Sequence, residues 1–301
     1  MFSYDISGII TEYAVDYNLK PLDWIDINKL DWREISGKPN AVDLLTKHPD
    51  KIDWYMVSRN PRAMDLLLEH PDKIDWSSLS SNCADGAMDL LLANPDKICW
   101  SNLSGNTNTK AISLLADNLD KISWWSLSGN PNTKAISLLA ENLDKINWFM
   151  LSGNTNTKAI SLLANNLDKI NWIHLSRNPN AVVLLTAHPD KICWDNLSSN
   201  PNDQAILLVK ENLDKIVWYY LSGNHNDDAI KLLMTRPDKI DWNLLAENPN
   251  AMYNPNAMNL IIANQDKLCW HILSSNPNIF TNDITKYNND VKILHSVLHG
   301  L

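Results

Sequence analysis

The chain reads as an all-α protein, a right-handed α-solenoid of about ten helix-turn-helix repeats with terminal caps, and three observations lead there. The first is a tryptophan followed three positions on by leucine or valine, at Trp54, Trp76, Trp100, Trp124, Trp148, Trp172, Trp194, Trp218, Trp242 and Trp270. Successive members are 22 or 24 residues apart, with one gap of 28, and a fixed period in that range marks a solenoid. The second is Asp-Lys-Ile, or Asp-Lys-Leu before Trp270, placed one residue ahead of each tryptophan. The third is an Ala-Ile-x-Leu-Leu type segment earlier in each block, whose apolar residues fall at helical spacing.

Taken in order, residues 1–36 form a degenerate N-terminal cap: ISGIITEYAV has helical spacing, and Trp24 and Trp32 precede Ile35-Ser36 in the place of Leu-Ser. Terminal repeats of a solenoid depart from the consensus because one face meets water. The array runs over 37–276. Within a block, Asn-Pro, as at Asn60-Pro61 and Asn178-Pro179, predicts an N-cap followed by proline at the first helical position, where a missing amide proton costs nothing. The helix stops at His48-Pro49, His70-Pro71, Asn94-Pro95 or His188-Pro189, because a residue before proline leaves the helical region. Leu119, Leu143, Leu167 and Leu213 stand in for that proline elsewhere. After the Asp-Lys-Ile turn, Asp53, Asp75, Ser123, Asn147, Asn171 and Asp241 are N-cap types opening a second, shorter helix. Blocks 106–177 are nearly copies in the 24-residue form, lengthened by Thr-Lys. The 28-residue irregular repeat at 243–270 contains NPNAMYNPNAMN, where Pro255 interrupts the helix that Pro249 begins and predicts a bulged loop. Residues 277–301 are a C-terminal capping segment, with Val291, Leu294, Val297 and Leu298 on one helical face. A leucine-rich repeat shares the period, but its strand needs alternating leucines before the asparagine, and these blocks lack them.

The formal charge of −9 is spread along the 301 residues without an acidic or basic tail, which disfavours a polyanionic partner. No run of about eighteen apolar residues occurs, and the start lacks a basic flank and a cleavage site, so a soluble intracellular protein without a membrane partner is expected. Cys99, Cys193 and Cys269 hold equivalent positions. The first two are four repeats apart, on the order of 40 Å at roughly 10 Å per helix layer, too far for a disulfide. Cys83 can approach only Cys99, and reduced thiols fit a reducing compartment.

No Gly-rich phosphate loop, GxSxG, HExxH or paired CxxC appears, so no enzyme, cofactor or metal is expected. His295 and His299 are spaced i, i+4 but would need a third zinc ligand from elsewhere. His48, His70 and His188 share a position with Asn94, which indicates a turn residue over a metal ligand. The Asp-Lys ladder from Asp50-Lys51 to Asp266-Lys267 reads either as lysines tracking a phosphate backbone or as a solvated turn. In the second reading each aspartate caps a helix and each lysine pairs with a neighbouring repeat's aspartate. An acid beside every lysine cancels the field and favours the turn. The asparagine ladder, Asn60 to Asn276, satisfies backbone groups at turns and caps.

The two positions after each tryptophan vary even among the near-identical copies, so they are read as one solvent-facing stripe. Tyr55, Met56, Trp125, Phe149, Met150, Ile173, His174, Tyr219 and Tyr220 are the candidate interaction surface, since aromatic and methionine residues suit protein contacts. Neutral drift at exposed positions is the competing explanation.

LSGNPNTKAISLL and NLDKINW, with NPNIF opening the final segment, make the chain resemble the Asn-rich tandem-repeat proteins of giant, mimivirus-like DNA viruses of amoebae. The resemblance covers roughly residues 20 to 285; the tail after Phe280 departs from the longer basic ending of that group. It implies a viral protein acting in host cytoplasm and carries over no activity or cofactor. The expectation is a non-enzymatic scaffold for a host or viral protein. The alternatives are a helical-repeat RNA binder using the lysine ladder and a structural virion component.

Overall fold

The computed structural model describes residues 19–282. The ISGIITEYAV stripe, the C-terminal helix expected around Val291, and His295 and His299 lie outside the described residues. Within them the chain is all-α: helix, turn, helix, turn, repeated, with strands only at Leu19–Pro21 and Phe280–Asn282.

One repeat shows how the residues build the unit. Thr133–Ala140 is a helix whose Ala135, Ile136 and Leu139 face inward and are buried. Glu141 closes it, and after Asn142 the segment Leu143–Lys145 turns the chain as a single 3-10 turn. Asn147 then caps the short helix Trp148–Ser152, its side chain accepting from the Met150 N–H at 3.0 Å. Asp53, Asp75, Ser123, Asn171 and Asp241 cap their helices in the same way, as the sequence predicts. The residue three beyond each repeat tryptophan, leucine except for Ile35 and Val57, is fully buried, while the indoles lie half-buried against the core. Eleven such tryptophan helices occur among the described residues, because Trp32–Ser36 is itself one of them.

Two local expectations are corrected. Asn60-Pro61 and Asn178-Pro179 form turns ahead of helices that begin only at Met64 and Val182; in the 24-residue blocks the second asparagine, such as Asn132, is the cap. The 28-residue repeat has no bulged loop. Pro249–Tyr253 and Pro255–Ala263 are two consecutive helices, each opened by its own Asn-Pro, because Asn254 satisfies the N–H groups of Asn256 and Ala257.

Repeats are joined by two buried polar ladders. Asn130 donates from Nδ2 to the carbonyls of Ser104 (3.1 Å) and Asn106 (2.9 Å) in the preceding repeat, and its Oδ1 accepts from the Asn132 N–H (3.0 Å). Ser128 donates to the Trp124 carbonyl (2.7 Å) and accepts the Asn147 N–H of the following repeat (2.9 Å). Both residues are essentially inaccessible to solvent. A buried polar group is tolerated only when paired, and these pairs tie each repeat to its neighbours. Where Ala246 interrupts the serine ladder, Asn243 Oδ1 takes over, accepting the Cys269 N–H at 3.1 Å.

The ladders also close the array on itself. Asp31 N–H donates to Ser274 Oγ (2.9 Å), Asn40 Nδ2 to the Pro277 carbonyl (3.4 Å), and Lys38 Nζ to the Ser275 carbonyl. Leu19–Pro21 pairs antiparallel with Phe280–Asn282, Leu19 opposite Asn282, and the Leu22 N–H reaches the Ile279 carbonyl at 2.8 Å. The described parts of the first and last repeats meet through the serine ladder, with Lys38 in the place of the ladder asparagine and a strand pair added. The eleven repeats form a closed ring.

Candidate interaction surface

Tryptophan helices approach one another more closely around the ring than the helices preceding them do, so they form its inner layer. At 100° per residue, fully buried Leu151 and Ser152 fix the core side of the Trp148–Ser152 helix, and Phe149, Met150 and Gly153 lie opposite, on the inner wall. The same holds in each repeat. The variable positions therefore line the concave wall, as a continuous band.

Tyr55, Trp125, Phe149, Ile173, Tyr219 and Tyr220 are exposed there, from 38% for Tyr220 to 57% for Trp125. Phe149 meets His174 of the next repeat with ring centroids 3.9 Å apart, Tyr219 and Tyr220 are edge-to-face at 5.2 Å, and Arg33 lies over Tyr55 at 5.9 Å. Met56, Met150 and His174 have a second role. They are half-buried, and each covers the glycine that follows Leu-Ser (Ile-Ser at Gly37) in the preceding repeat: a Cβ at Gly37 would lie 2.8 Å from Met56 Cε, at Gly129 3.0 Å from Met150 Cε, and at Gly153 3.5 Å from His174 Nδ1. The second variable position thus contributes to stacking, which the idea of a purely solvent-facing stripe missed. The signal was the co-occurrence of large residues there with glycine one repeat earlier.

A cavity of about 580 Å³ lies on this wall, lined among others by Arg177, Asn196, Tyr219, Tyr220, His225 and Glu247. A second, of about 440 Å³, shares Arg177 and Asn196 with it and extends to Met150 and His174. Burial in the wall lowers the proton affinity of His225; Glu247 raises it and Arg177, two repeats back, lowers it further. Burial also pulls the Lys38 ammonium below the usual lysine range, offset in part by Glu34 and Glu247. Arg177, His225, Glu247 and Lys38 were not singled out from the sequence, because only the closed curvature brings residues of non-adjacent repeats within electrostatic reach.

The Asp-Lys turns face elsewhere and are already engaged. In six repeats the lysine pairs with its own neighbouring aspartate at 3.2–3.8 Å. Lys121, Lys215 and Lys267 lie 4.5–4.8 Å over Trp100, Trp194 and Trp242 of the preceding repeats, and Lys29 lies 5.0 Å over Trp270 across the seam. The cross-repeat ion pairing expected of these lysines is replaced by pairing within the turn, and turns such as Pro49–Lys51 and Leu143–Lys145 carry no side-chain cap bond. His48, His70 and His188 pack on Trp32, Trp54 and Trp172 with centroids 5.0–5.1 Å apart, which is a packing role.

Among the described residues no group of three or more His, Cys, Asp or Glu is placed to hold a metal ion, and all four cysteines are free. No helix there is long and apolar enough to cross a membrane. No protein-family model, curated protein or solved structure matches the chain. The wall must be read from its own chemistry.

Proposed function

We propose that the protein is a non-enzymatic ring scaffold that holds a protein partner against its inner wall. The observation that carries this reading is the exposed, mainly aromatic band, Tyr55, Trp125, Phe149, Ile173, Tyr219 and Tyr220, at positions whose identity varies between otherwise near-identical repeats. Large rigid aromatics clustered on a concave surface are the residue types that dominate protein-contact energetics. The lysine ladder supports the reading indirectly: its ammonium groups sit on aspartates and indoles, which weakens the case for a nucleic-acid partner. The resemblance of the repeats to those of giant DNA viruses places the partner, in this proposal, among viral or host proteins.

The test is affinity capture from cells expressing the tagged chain, compared with a variant carrying Tyr219→Ala, Tyr220→Ala and Phe149→Ala. Partners lost from the variant, with its thermal unfolding unchanged within a few degrees, are the expected result. An identical captured set would show that the band is not the contact surface.

A further inference from the structure

We propose that the Arg177 cavity receives the C-terminal end of a partner polypeptide, its terminal carboxylate on the Arg177 guanidinium and a large apolar last side chain against Tyr219 and Tyr220. This rests on the interaction reading above and names the part of the partner that enters.

Three features of the wall carry it. The first is topology. The ring is closed by a seam of side-chain bonds and a short strand pair, so a partner reaches the wall through the open faces of the ring. Arg177, Asn196 and Tyr219, from three successive repeats, line one cavity on that wall, so a single chain end meets several repeats at once.

The second is charge. Arg177 is exposed and has no carboxylate within ion-pair distance among the described residues, while most other basic groups of the repeats are spoken for by an aspartate or an indole. Glu247, the acid of this cavity, acts on Lys38 and His225. The chain as a whole has 35 acidic against 26 basic residues, so an exposed guanidinium without a carboxylate partner, lining a cavity with two tyrosines, favours an anion there. A guanidinium presents a donor fork that matches a carboxylate. An N-terminal ammonium would be repelled by the same group.

The third is shape. A cavity of about 580 Å³ falls in the size range of small-ligand sites, and its edge-to-face tyrosine pair offers ring surface in the cavity that Arg177 also lines. A C-terminal residue carries both parts, anion and apolar body, one bond from the same carbon.

The experiment uses the full chain and pools of octapeptides of randomised sequence ending in phenylalanine, labelled with a fluorophore at the N-terminus, as free acids and as C-terminal carboxamides. Anisotropy titration should show the free-acid pool binding roughly tenfold or more tightly than the amide pool, the scale of a charge-assisted pair. Arg177→Gln should remove that preference, and Arg59→Gln, on the wall outside this cavity, should keep it. Equal binding of acid and amide, or no binding of either, would overturn the proposal. If the aromatic variant still loses partners in the capture experiment, the interaction reading stands and only the chain-end assignment fails.

Discussion

At the scale of single residues, the asparagine after each Leu-Ser-x decides whether repeats join. Asn130 is 1% exposed and supplies the donors for two carbonyls of the repeat before it. Asn130→Ala would leave both acceptors buried and unpaired, and should cost about 2–4 kcal/mol in urea unfolding, a few-fold more than a surface substitution. A value under about 1 kcal/mol would mean that water replaces the amide. The break at Ala246 offers a cleaner measurement. Asn243→Ala should destabilise the chain by about 0.5–1 kcal/mol by removing an acceptor from the solvent-accessible Cys269 N–H, and adding Ala246→Ser should recover most of it, because serine restores the ladder used elsewhere. The asparagine ladder was legible in the sequence as a backbone-satisfying row. Its direction, reaching backward to the previous repeat, was not, since a turn asparagine and a bridging asparagine look alike in one dimension.

At the scale of elements, the repeat tolerates two lengths because Thr-Lys extends the outer helix by about half a turn without touching the tryptophan helix. Thr133–Ala140 has 8 residues where Met64–Glu69 has 6. Helix stops, turns and the caps at Asp53, Asp75, Ser123, Asn147, Asn171 and Asp241 are local signals, and the sequence read them correctly. The Asn248–Asn259 stutter was misread because Pro255 was weighed as a breaker while Asn254, which caps the helix after it, was not. That helix pair inserts six residues, Pro249 to Asn254, into an otherwise regular block, and 28 less 6 is the 22-residue spacing. Deleting those six should therefore give a chain that folds cooperatively with a thermal midpoint within about 5 °C of the parent. Loss of cooperative unfolding would show that Pro249–Tyr253 is needed to seat the final repeat.

At the scale of the molecule, the seam differs from the other joints in its chemistry. Lys38 stands where the ladder has asparagine, and His271 Nδ1 lies 2.6 Å from Asp31 Oδ2. Burial opposes ionisation of Asp31, but hydrogen bonds from His271 and from the Glu34 and Arg33 N–H groups outweigh it and hold the carboxyl below its usual range. The sign follows: a depressed carboxylate contributes stability that is complete above its unfolded value, near 4, and is lost as pH falls through the lower folded value. Acidification below about pH 4 should thus raise amide hydrogen exchange at Asp31 and Leu22 before it does so at Asn147, whose partner is Ser128. Asp31→Asn should abolish that ordering. Uniform exchange along the ring at low pH would show that the seam is no more acid-sensitive than the other joints.

The sequence by itself determined the unit and its period: helix stops at proline, caps before tryptophan, apolar faces at helical spacing and a repeating register are all encoded within about two dozen residues. It also marked the variable band, since variation against a constant background is visible without coordinates. Only the tertiary structure decided that the array is a closed ring, that the band faces inward, and that Arg177, His225 and Glu247 of different repeats share one wall. Those outcomes depend on the small rotation from each repeat to the next, summed over eleven of them. A rotation of that kind is set by how half-buried indoles and glycine-seated side chains pack across each joint, and local sequence signals do not carry it.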